Sequence, residues 1–214
     1  MQKLILAGAG GCMRELVWQI QELNKVFPTW DVVGYVDFED PDTDVYVGGQ
    51  RIPYLGNDDY LMEMNEVVNV AICVGSPALR KKIAMKYQKN NNIRFPNLIL
   101  SNAYVCEDVV IGQGCIISMD ARVSTNVELG DFVFLNTGAK ICHDGTIGDY
   151  VTLAPNATLA GSVTIGSGSD IGLGANVIQG INITNDVIIG AGAVVVRDIL
   201  VPCTAVGVPA KAIK

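Results

Sequence analysis

The second half of this chain repeats every six residues. Starting at Val105, every sixth residue up to Val195 is Val, Leu or Ile. Four residues after these positions the side chain is usually small or Val, as at Cys115, Ala121 and Ala139. An unbroken period of this kind is typical of a parallel β-helix, in which three hexapeptides form one coil of about eighteen residues. Coils stack at about the ~4.8 Å spacing of neighbouring strands, and the repeat predicts about five of them.

The first part of the chain has a different pattern. Apolar runs that read as buried strands alternate with segments of helical spacing, which predicts a Rossmann-like α/β unit with a parallel sheet. We expect strands at 3–7, 32–36 and 67–74, helices at 14–24 and 77–89, and a turn at 55–58 that leads into a short helix. The predicted domains are therefore an α/β unit at 1–96 and a β-helix at 97–214.

Charge and composition exclude several classes of protein. With 15 basic and 22 acidic residues the net charge is −7, and no Lys/Arg cluster occurs, which argues against nucleic acid or an anionic membrane as partner. The apolar stretches at the N-terminus and at 187–196 are too short for a signal peptide or for the ~20 residues of a membrane helix. The six cysteines form no CxxC motif, so we expect reduced thiols and a cytoplasmic protein.

A glycine-rich turn follows the first predicted strand. Residues 8–11 read GAGG and lead directly into the first helix, where backbone N–H groups could hold a diphosphate. Position 13 is Met13, where a dinucleotide-binding motif has glycine, which weighs against a nicotinamide enzyme. A nucleotidyltransferase loop and a tight turn without any ligand remain as alternatives.

The only histidine of the chain is His143. It lies off the inward rows of the repeat, so its imidazole is expected on the outside of the coil, next to Asp144. A carboxylate beside an imidazole fixes its tautomer and raises its basicity, although such a pair is also common on ordinary surfaces. One coil further on, Gly161 offers a backbone N–H to a developing oxyanion, and Asn136 could orient a substrate; both residues also serve plain turns. A single histidine excludes a three-histidine metal site, and no metal is expected.

Several segments together resemble one family. They are LAGAGG at 6–11, VGYVD at 33–37, AICVGS at 71–76, RKKI at 80–83, and His143-Asp144 followed by 147–149. The chain resembles the hexapeptide-repeat sugar acetyltransferases related to sialic acid O-acetyltransferase and to UDP-4-amino-sugar N-acetyltransferase, over nearly its whole length.

The resemblance implies a left-handed β-helix and a division of labour between the domains. The α/β unit would bind a nucleotide-sugar acceptor, and acetyl-CoA would lie along the β-helix between the subunits of a homotrimer. His143 would be the general base, Asp144 its partner and the Gly161 amide the oxyanion donor. Implied acceptor contacts are Gly10, Gly11, Cys12, Asp37, Phe38 and Gly75. Implied acetyl-CoA contacts are Thr152, Leu173 and Ala191.

The expected reaction is acetyl transfer to the amino group of a UDP-4-amino sugar in bacterial surface-glycan or glycoprotein biosynthesis. The family commonly has histidine at the position of Cys12, so the acceptor sugar is left open by the sequence. It often has a second histidine at the position of Thr152, which can still form a hydrogen bond to acetyl-CoA. One alternative is O-acetylation of sialic acid or another sugar. An alternative of another class is a non-catalytic trimeric scaffold or nucleotide-sugar sensor.

Overall fold

The computed structural model describes residues 1–39 and 45–213. It divides into two compact units, one of Met1–Gly75 with Leu79–Pro96 and one of Ser76–Ala78 with the chain from Asn97 onwards. We call these the α/β unit and the β-helix. Residues 40–44 and 214, which the predicted domains include, lie outside the described residues.

The α/β unit is built on a five-stranded parallel sheet with the order β5-β2-β1-β6-β7. Its strands are β1 (Gln2–Ala7), β2 (Trp30–Val36), β5 (Tyr54–Gly56), β6 (Val68–Ile72) and β7 (Ile93–Arg94). Strands β3 (Val45–Val47) and β4 (Gln50–Ile52) form a separate antiparallel hairpin. The apolar run of β1 is fully buried from Leu4 to Ala7, as expected of a strand covered on both faces.

Three helices connect these strands. They are α1 (Gly11–Val26), α2 (Asp58–Met62) and α3 (Pro77–Tyr87). Helix α1 buries Leu16, Val17 and Ile20 at helical spacing, and Asn57 caps α2 by accepting a hydrogen bond from the Asp59 N–H at 2.9 Å. The predicted strands and helices are present. The predicted turn at 55–58 is different, because residues 54–56 pair with β2 as an edge strand and only Asn57 remains to begin the helix.

The β-helix consists of short strands, each of two residues except Thr204–Val206, that stack on three faces. The first face contains Leu98–Ile99, Ile116–Ile117, Phe134–Leu135, Thr152–Leu153, Asp170–Ile171, Ile188–Ile189, Thr204–Val206 and Lys211–Ala212. The second face contains Tyr104–Val105, Arg122–Val123, Lys140–Ile141, Thr158–Leu159, Asn176–Val177 and Val194–Val195. The third face contains Val110–Ile111, Glu128–Leu129, Thr146–Ile147, Thr164–Ile165 and Asn182–Ile183. All pairs are parallel except the last one on the first face.

The interior of the β-helix is the predicted aliphatic row. From Ile117 to Val195 every residue of this row is at most 3% exposed, and the small-residue row lies beside it, with Ala121, Ala139 and Val151 fully buried. These residues form one continuous hydrophobic core. The coils begin earlier than the row predicts, because Leu98–Ile99 already pairs with Ile116–Ile117. The expected architecture, an α/β unit followed by a parallel β-helix, is confirmed.

Three corners connect the faces of each coil. We call them the first corner (first face to second), the second corner (second face to third) and the third corner (third face to first). Many corner residues have a left-handed backbone, with φ of 55° at Asn126, 59° at Asp144 and 59° at Asn156. Asn and Asp tolerate this conformation because their short polar side chains bond locally. Because one coil contains about eighteen residues, a residue and the one eighteen positions later occupy the same corner of adjacent coils.

Candidate active site

His143 lies at the second corner, immediately after the strand Lys140–Ile141. Its side chain is 51% exposed, and its Nδ1 is 2.8 Å from Oδ2 of Asp144. Since a carboxylate can only accept, this bond requires the hydrogen on Nδ1. The lone pair of Nε2 is then free, which is the form of imidazole that can take a proton from a reacting group.

Asp144 is held from two sides. Asn126, one coil earlier at the same corner, donates from Nδ2 to the Asp144 Oδ1 at 2.6 Å, and His143 occupies Oδ2. The hydrogen bond from Asn126, followed by the one from His143, lowers the pKa of the Asp144 carboxyl group below its ordinary value. Asp144 is therefore a carboxylate at neutral pH and can stabilise the imidazolium that forms when His143 takes a proton.

Gly161 lies one coil after His143, beneath the imidazole ring. A methyl group at position 161 would be only 2.6 Å from His143 Nε2, so the ring can occupy its place only because this residue is glycine. The two coils are joined here by the Ser162 N–H, which donates to the His143 carbonyl at 2.8 Å. Within residues 1–39 and 45–213, no acceptor takes the Gly161 N–H, so this donor is not used by the fold.

The other predicted β-helix residues lie at different places. Asn136 is at the first corner, at the opposite end of the strand Lys140–Ile141 from His143, and its Oδ1 accepts from the Thr137 N–H at 2.7 Å. The structure therefore brings His143, Asp144 and Gly161 together and places Asn136 apart from them. A ligand that contacted both Asn136 and His143 of one protomer would have to span this strand.

The three predicted acetyl-CoA contacts also separate into two groups. Leu173, which is 56% exposed, and Ala191 occupy the first corner of adjacent coils, where the Gly192 N–H donates to the Leu173 carbonyl at 2.8 Å. Thr152 lies in a strand of the first face and is only 5% exposed. Leu173 and Ala191 thus form a small exposed edge parallel to the helix axis, whereas Thr152 is buried.

The α/β unit contains a cavity of about 320 Å³ at the carboxyl ends of β1, β2 and β6. The strand order changes direction between β1 and β6, and ligands of open α/β sheets bind at this kind of switch point. The cavity is lined by Ala7, Gly8, Val36, Asp37, Phe38, Asp58, Val74, Leu79, Lys82, Ile83, Lys86 and Tyr87. Of the predicted acceptor contacts, Asp37 and Phe38 line it, and Gly10, Gly11, Cys12 and Gly75 do not.

Asp37 fixes the glycine turn beside this cavity. Its Oδ2 accepts from the Ala9 N–H and its Oδ1 accepts from the Phe38 N–H, so one carboxylate joins the end of β2 to the turn after β1. Gly8 has φ +110°, and a methyl group there would be 3.3 Å from the Cys73 carbonyl oxygen. Gly10 caps α1 without any side-chain bond, and a methyl group there would meet no atom within 4 Å, so the positive end of the helix is uncovered at this residue.

Cys12 is a weak candidate for any covalent chemistry. Burial, reinforced by the charge of Glu15 and opposed by that of Arg80, raises the pKa of its thiol to about 11. Burial likewise raises the pKa of the Cys73 thiol, on the strand β6 side of the turn. Both groups are neutral at physiological pH, so Cys12 can contribute its backbone N–H and packing but not a thiolate.

The cavity wall also contains a polar cluster of Asp58, Lys86 and Tyr87, which the sequence did not predict. Tyr87 donates to Asp58 Oδ1 at 2.5 Å and Lys86 donates to Oδ2 at 2.8 Å. Burial alone would raise the pKa of Asp58, but the bonds from Lys86 and Tyr87 outweigh it and lower the pKa. Buried Arg80 donates to the carbonyls of Val74 and Gly75 at 2.8 and 2.9 Å and thereby holds the loop after β6.

Within residues 1–39 and 45–213, no group of three or more His, Cys, Asp or Glu side chains is placed to hold a metal ion. None of the helices in these residues combines the length and the apolar character that crossing a membrane requires.

The chain thus combines a histidine–aspartate pair on the exterior of a hexapeptide β-helix with an α/β unit that has a cavity at its switch point. Comparisons with known proteins show which family shares this architecture. Residues 3–87 match the family model described as the PglD N-terminal domain. A search of curated protein sequences found no match.

Solved structures match over the whole chain. The acetyltransferase domain of PglB from Neisseria gonorrhoeae is 31% identical with a TM-score of 0.87, and covers 100% of both chains. Its complex with acetyl coenzyme A gives 32% identity and a TM-score of 0.86 over 99% of each chain. PerB from Caulobacter crescentus, in complex with CoA and GDP-perosamine, is 30% identical with a TM-score of 0.84, over 99% of this chain and 97% of that one. The chain therefore belongs to the family of hexapeptide-repeat sugar acetyltransferases, as its sequence segments indicated.

Proposed function

We propose that this protein transfers an acetyl group from acetyl-CoA to the amino group of a nucleotide-linked 4-amino sugar. The observation that carries the proposal is the His143–Asp144 pair, in which Nδ1 is held by a carboxylate, Nε2 is free and the ring packs against Gly161 of the next coil. Support for the two substrates comes from the relatives, because PglB is described with acetyl coenzyme A and PerB with CoA and GDP-perosamine.

In the proposed reaction the acceptor nitrogen attacks the thioester carbonyl carbon. His143 Nε2 takes the proton that the nitrogen loses, and Asp144 stabilises the resulting imidazolium. The Gly161 N–H donates to the carbonyl oxygen while it carries negative charge. The carbon–sulfur bond then breaks, and the sulfur of CoA leaves with the proton returned by His143. An amide forms, and the number of protons is conserved.

The substrates have separate proposed places. The cavity of the α/β unit and the open first turn of α1 would take the nucleotide diphosphate, because they combine a switch-point pocket with backbone N–H donors and the nearby Lys82 and Lys86. The exposed first-corner edge of Leu173 and Ala191 would take acetyl-CoA. Thr152 is buried within one protomer, so it would support the acetyl-CoA site only through packing.

A homotrimer is part of the proposal. The outward positions of the β-helix include large apolar side chains with substantial exposure, such as Val110 at 63%, Ile178 at 45% and Ile188 at 49%. A thin β-helix that exposes such side chains gains stability when neighbouring copies cover them. Light scattering is expected to give about three times the 22.8 kDa mass of one chain.

The proposal is tested with tag-free protein and a panel of acceptors. The panel contains a UDP-4-amino sugar, GDP-perosamine, CMP-sialic acid and free sialic acid, each with and without acetyl-CoA. Release of the CoA thiol and a product heavier by one acetyl group are expected with a nucleotide-linked amino sugar. A true ligand at about 100 times its Kd should also stabilise the fold by about 2.7 kcal/mol. Acetylation confined to sialic acid hydroxyls, or no transfer with any member, would overturn the proposal.

A further inference from the structure

Three polar residues form a ladder at the second corner of the β-helix. Asp108, Asn126 and Asp144 follow one another at intervals of eighteen residues and therefore lie on three successive coils. Asn126 donates from Nδ2 to Asp144 Oδ1 at 2.6 Å. Below it, Asp108 Oδ2 accepts from the Asn126 backbone N–H at 3.0 Å and from the Thr125 hydroxyl group. The ladder ends at the carboxylate that holds His143.

We infer that Asn126 is a positioning residue for the general base, whose side-chain amide fixes the Asp144 carboxylate so that Oδ2 meets Nδ1 of His143. This inference rests on the proposed function. The carboxylate carries one bond on each oxygen, to Asn126 on Oδ1 and to His143 on Oδ2. With both oxygens held, rotation about the terminal torsion of Asp144, which is otherwise broad, would break a bond on each side.

Because the His143–Asp144 pair is exposed, it needs the second bond, from Asn126, to hold its geometry. The side chains of His143 and Asp144 are 51% and 49% exposed. A single exposed pair of this kind gains little from its geometry, because water competes and both side chains lose entropy when they are held. The His143 ring packs against Gly161 of the next coil, but this contact does not hold the Asp144 carboxylate. Asn126 supplies the missing constraint from the neighbouring coil.

The chemistry of the amide makes the bond directional. Only the NH₂ end of Asn126 can face an ionised carboxylate, since the oxygen end would repel it. Asn126 itself is fixed, because its backbone is left-handed with φ 55° and its N–H is bound by Asp108. The anchor therefore runs from Asp108 on the first coil to His143 on the third.

Tolerance of the left-handed backbone does not explain Asn126 by itself. Asn102 has φ 59° at the first corner and is also exposed, so it meets the same backbone requirement without touching the His143–Asp144 pair. The bond to Asp144 is additional to that requirement. The two roles make opposite predictions for Asn126→Asp. A backbone role would tolerate this isostere, whereas a positioning role would not, because a carboxylate would then face the Asp144 carboxylate.

The sole histidine allows the inference to be tested without turnover. Tag-free protein labelled with ¹⁵N in histidine gives imidazole signals from His143 alone, and their shifts report which nitrogen carries the hydrogen. At a pH where the ring is neutral, the native protein is expected to hold the Nδ1–H form. Asn126→Gly, which keeps the left-handed backbone, is expected to give a mixture of both forms. Asn126→Asp is expected to contain even less of the Nδ1–H form. Asn102→Gly is the matched control and should leave the signals unchanged.

Kinetics of the same variants provide the second readout. In chelator-treated buffer, kcat is expected to fall about tenfold in Asn126→Gly and further in Asn126→Asp, with the KM for both substrates within about twofold. The unfolding midpoint should stay close to that of Asn102→Gly, since exposed hydrogen bonds contribute little to stability. An unchanged tautomer in both Asn126 variants, or an Asn126→Asp variant as active as the native protein, would overturn the inference. If no variant and no native protein transfers acetyl groups, the proposed function fails, while the tautomer measurement still decides the role of Asn126.

Discussion

The β-helix and the α/β unit differ in how their neighbours in space relate to their neighbours in sequence. In the β-helix from Leu98 to Val195, paired strand residues are eighteen positions apart, and the same spacing brings Asn126 to Asp144. In the α/β unit, Tyr87 meets Asp58 across twenty-nine residues that follow no repeat. The repeat therefore determines which residues meet in the β-helix, whereas tertiary packing determines it in the α/β unit. This difference determines which substitutions should be additive and which should disturb a whole site.

The largest effect is expected in the interior of the β-helix. Leu153 is fully buried in the aliphatic row, so Leu153→Ala should lower the free energy of unfolding by about 2–5 kcal/mol through lost burial and a cavity. Thr164→Ala, an outward and exposed position on the third face, should change it by less than about 0.5 kcal/mol. Urea unfolding of both variants measures the difference. Equal effects would mean that the alternation of inward and outward residues along the coils does not define the core.

The next largest effect concerns Gly161. A methyl group at this position would collide with the imidazole of His143, so Gly161→Ala should reduce kcat about 10²-fold by displacing the ring. The same substitution in a His143→Ala background should cost little more, because there is no ring left to displace. Steady-state kinetics of the two single variants and the double variant measure this coupling. Fully additive losses would show that Gly161 acts independently of His143.

The cavity of the α/β unit should give a smaller and different effect. Tyr87→Phe removes the hydroxyl that donates to Asp58 but keeps the buried ring. We expect the KM for the nucleotide sugar to rise about tenfold, because the loss of one hydrogen bond to a charged group changes affinity by about this factor. The KM for acetyl-CoA should stay unchanged. Tyr46→Phe, exposed in the same unit, is the control. A rise in the KM for acetyl-CoA instead would contradict the separation of the two substrates.

The smallest effect is the pH dependence that Asp58 brings to stability. Its pKa is lowered in the folded protein, so its contribution is present above the pKa of the unfolded chain and is lost as the pH falls through the folded value. The stability difference between the native protein and Asp58→Asn should thus shrink as the pH falls from about 5 to about 2. Asp58 is partly exposed, so this difference should stay below about 1 kcal/mol. A difference that is constant across this range would mean that the ion pair does not survive in solution.

The sequence predicted most of the β-helix because its period fixes position. The aliphatic row, the outward place of His143 and the place of Gly161 one coil away all follow from counting. The same counting leads from Asp144 back to Asn126 and Asp108, so the ladder was within reach of the sequence once carboxylate and amide residues at eighteen-residue intervals are considered.

For the α/β unit the sequence predicted the elements, the glycine turn and the acceptor contacts Asp37 and Phe38, but not the polar cluster around Asp58. Hydrophobic runs predict its strands, but no local pattern relates Asp58 and Lys86 on α2 and α3, which meet only when both helices pack beside the sheet. The hairpin β3–β4 was missed although it carries a signal, since Gly48 and Gly49 have φ 57° and 77° between two short strands.

The central claim is that the β-helix carries the general base, and the most direct measurement is kcat of His143→Ala with the nucleotide amino sugar. General-base catalysis is typically worth about 10²–10⁴-fold, so kcat should fall by that amount, while the affinity for acetyl-CoA changes by less than about threefold. Asp144→Ala should fall less, because the imidazole remains. Acetyl transfer by His143→Ala within about threefold of the native rate, between about pH 6 and pH 9, would contradict the claim.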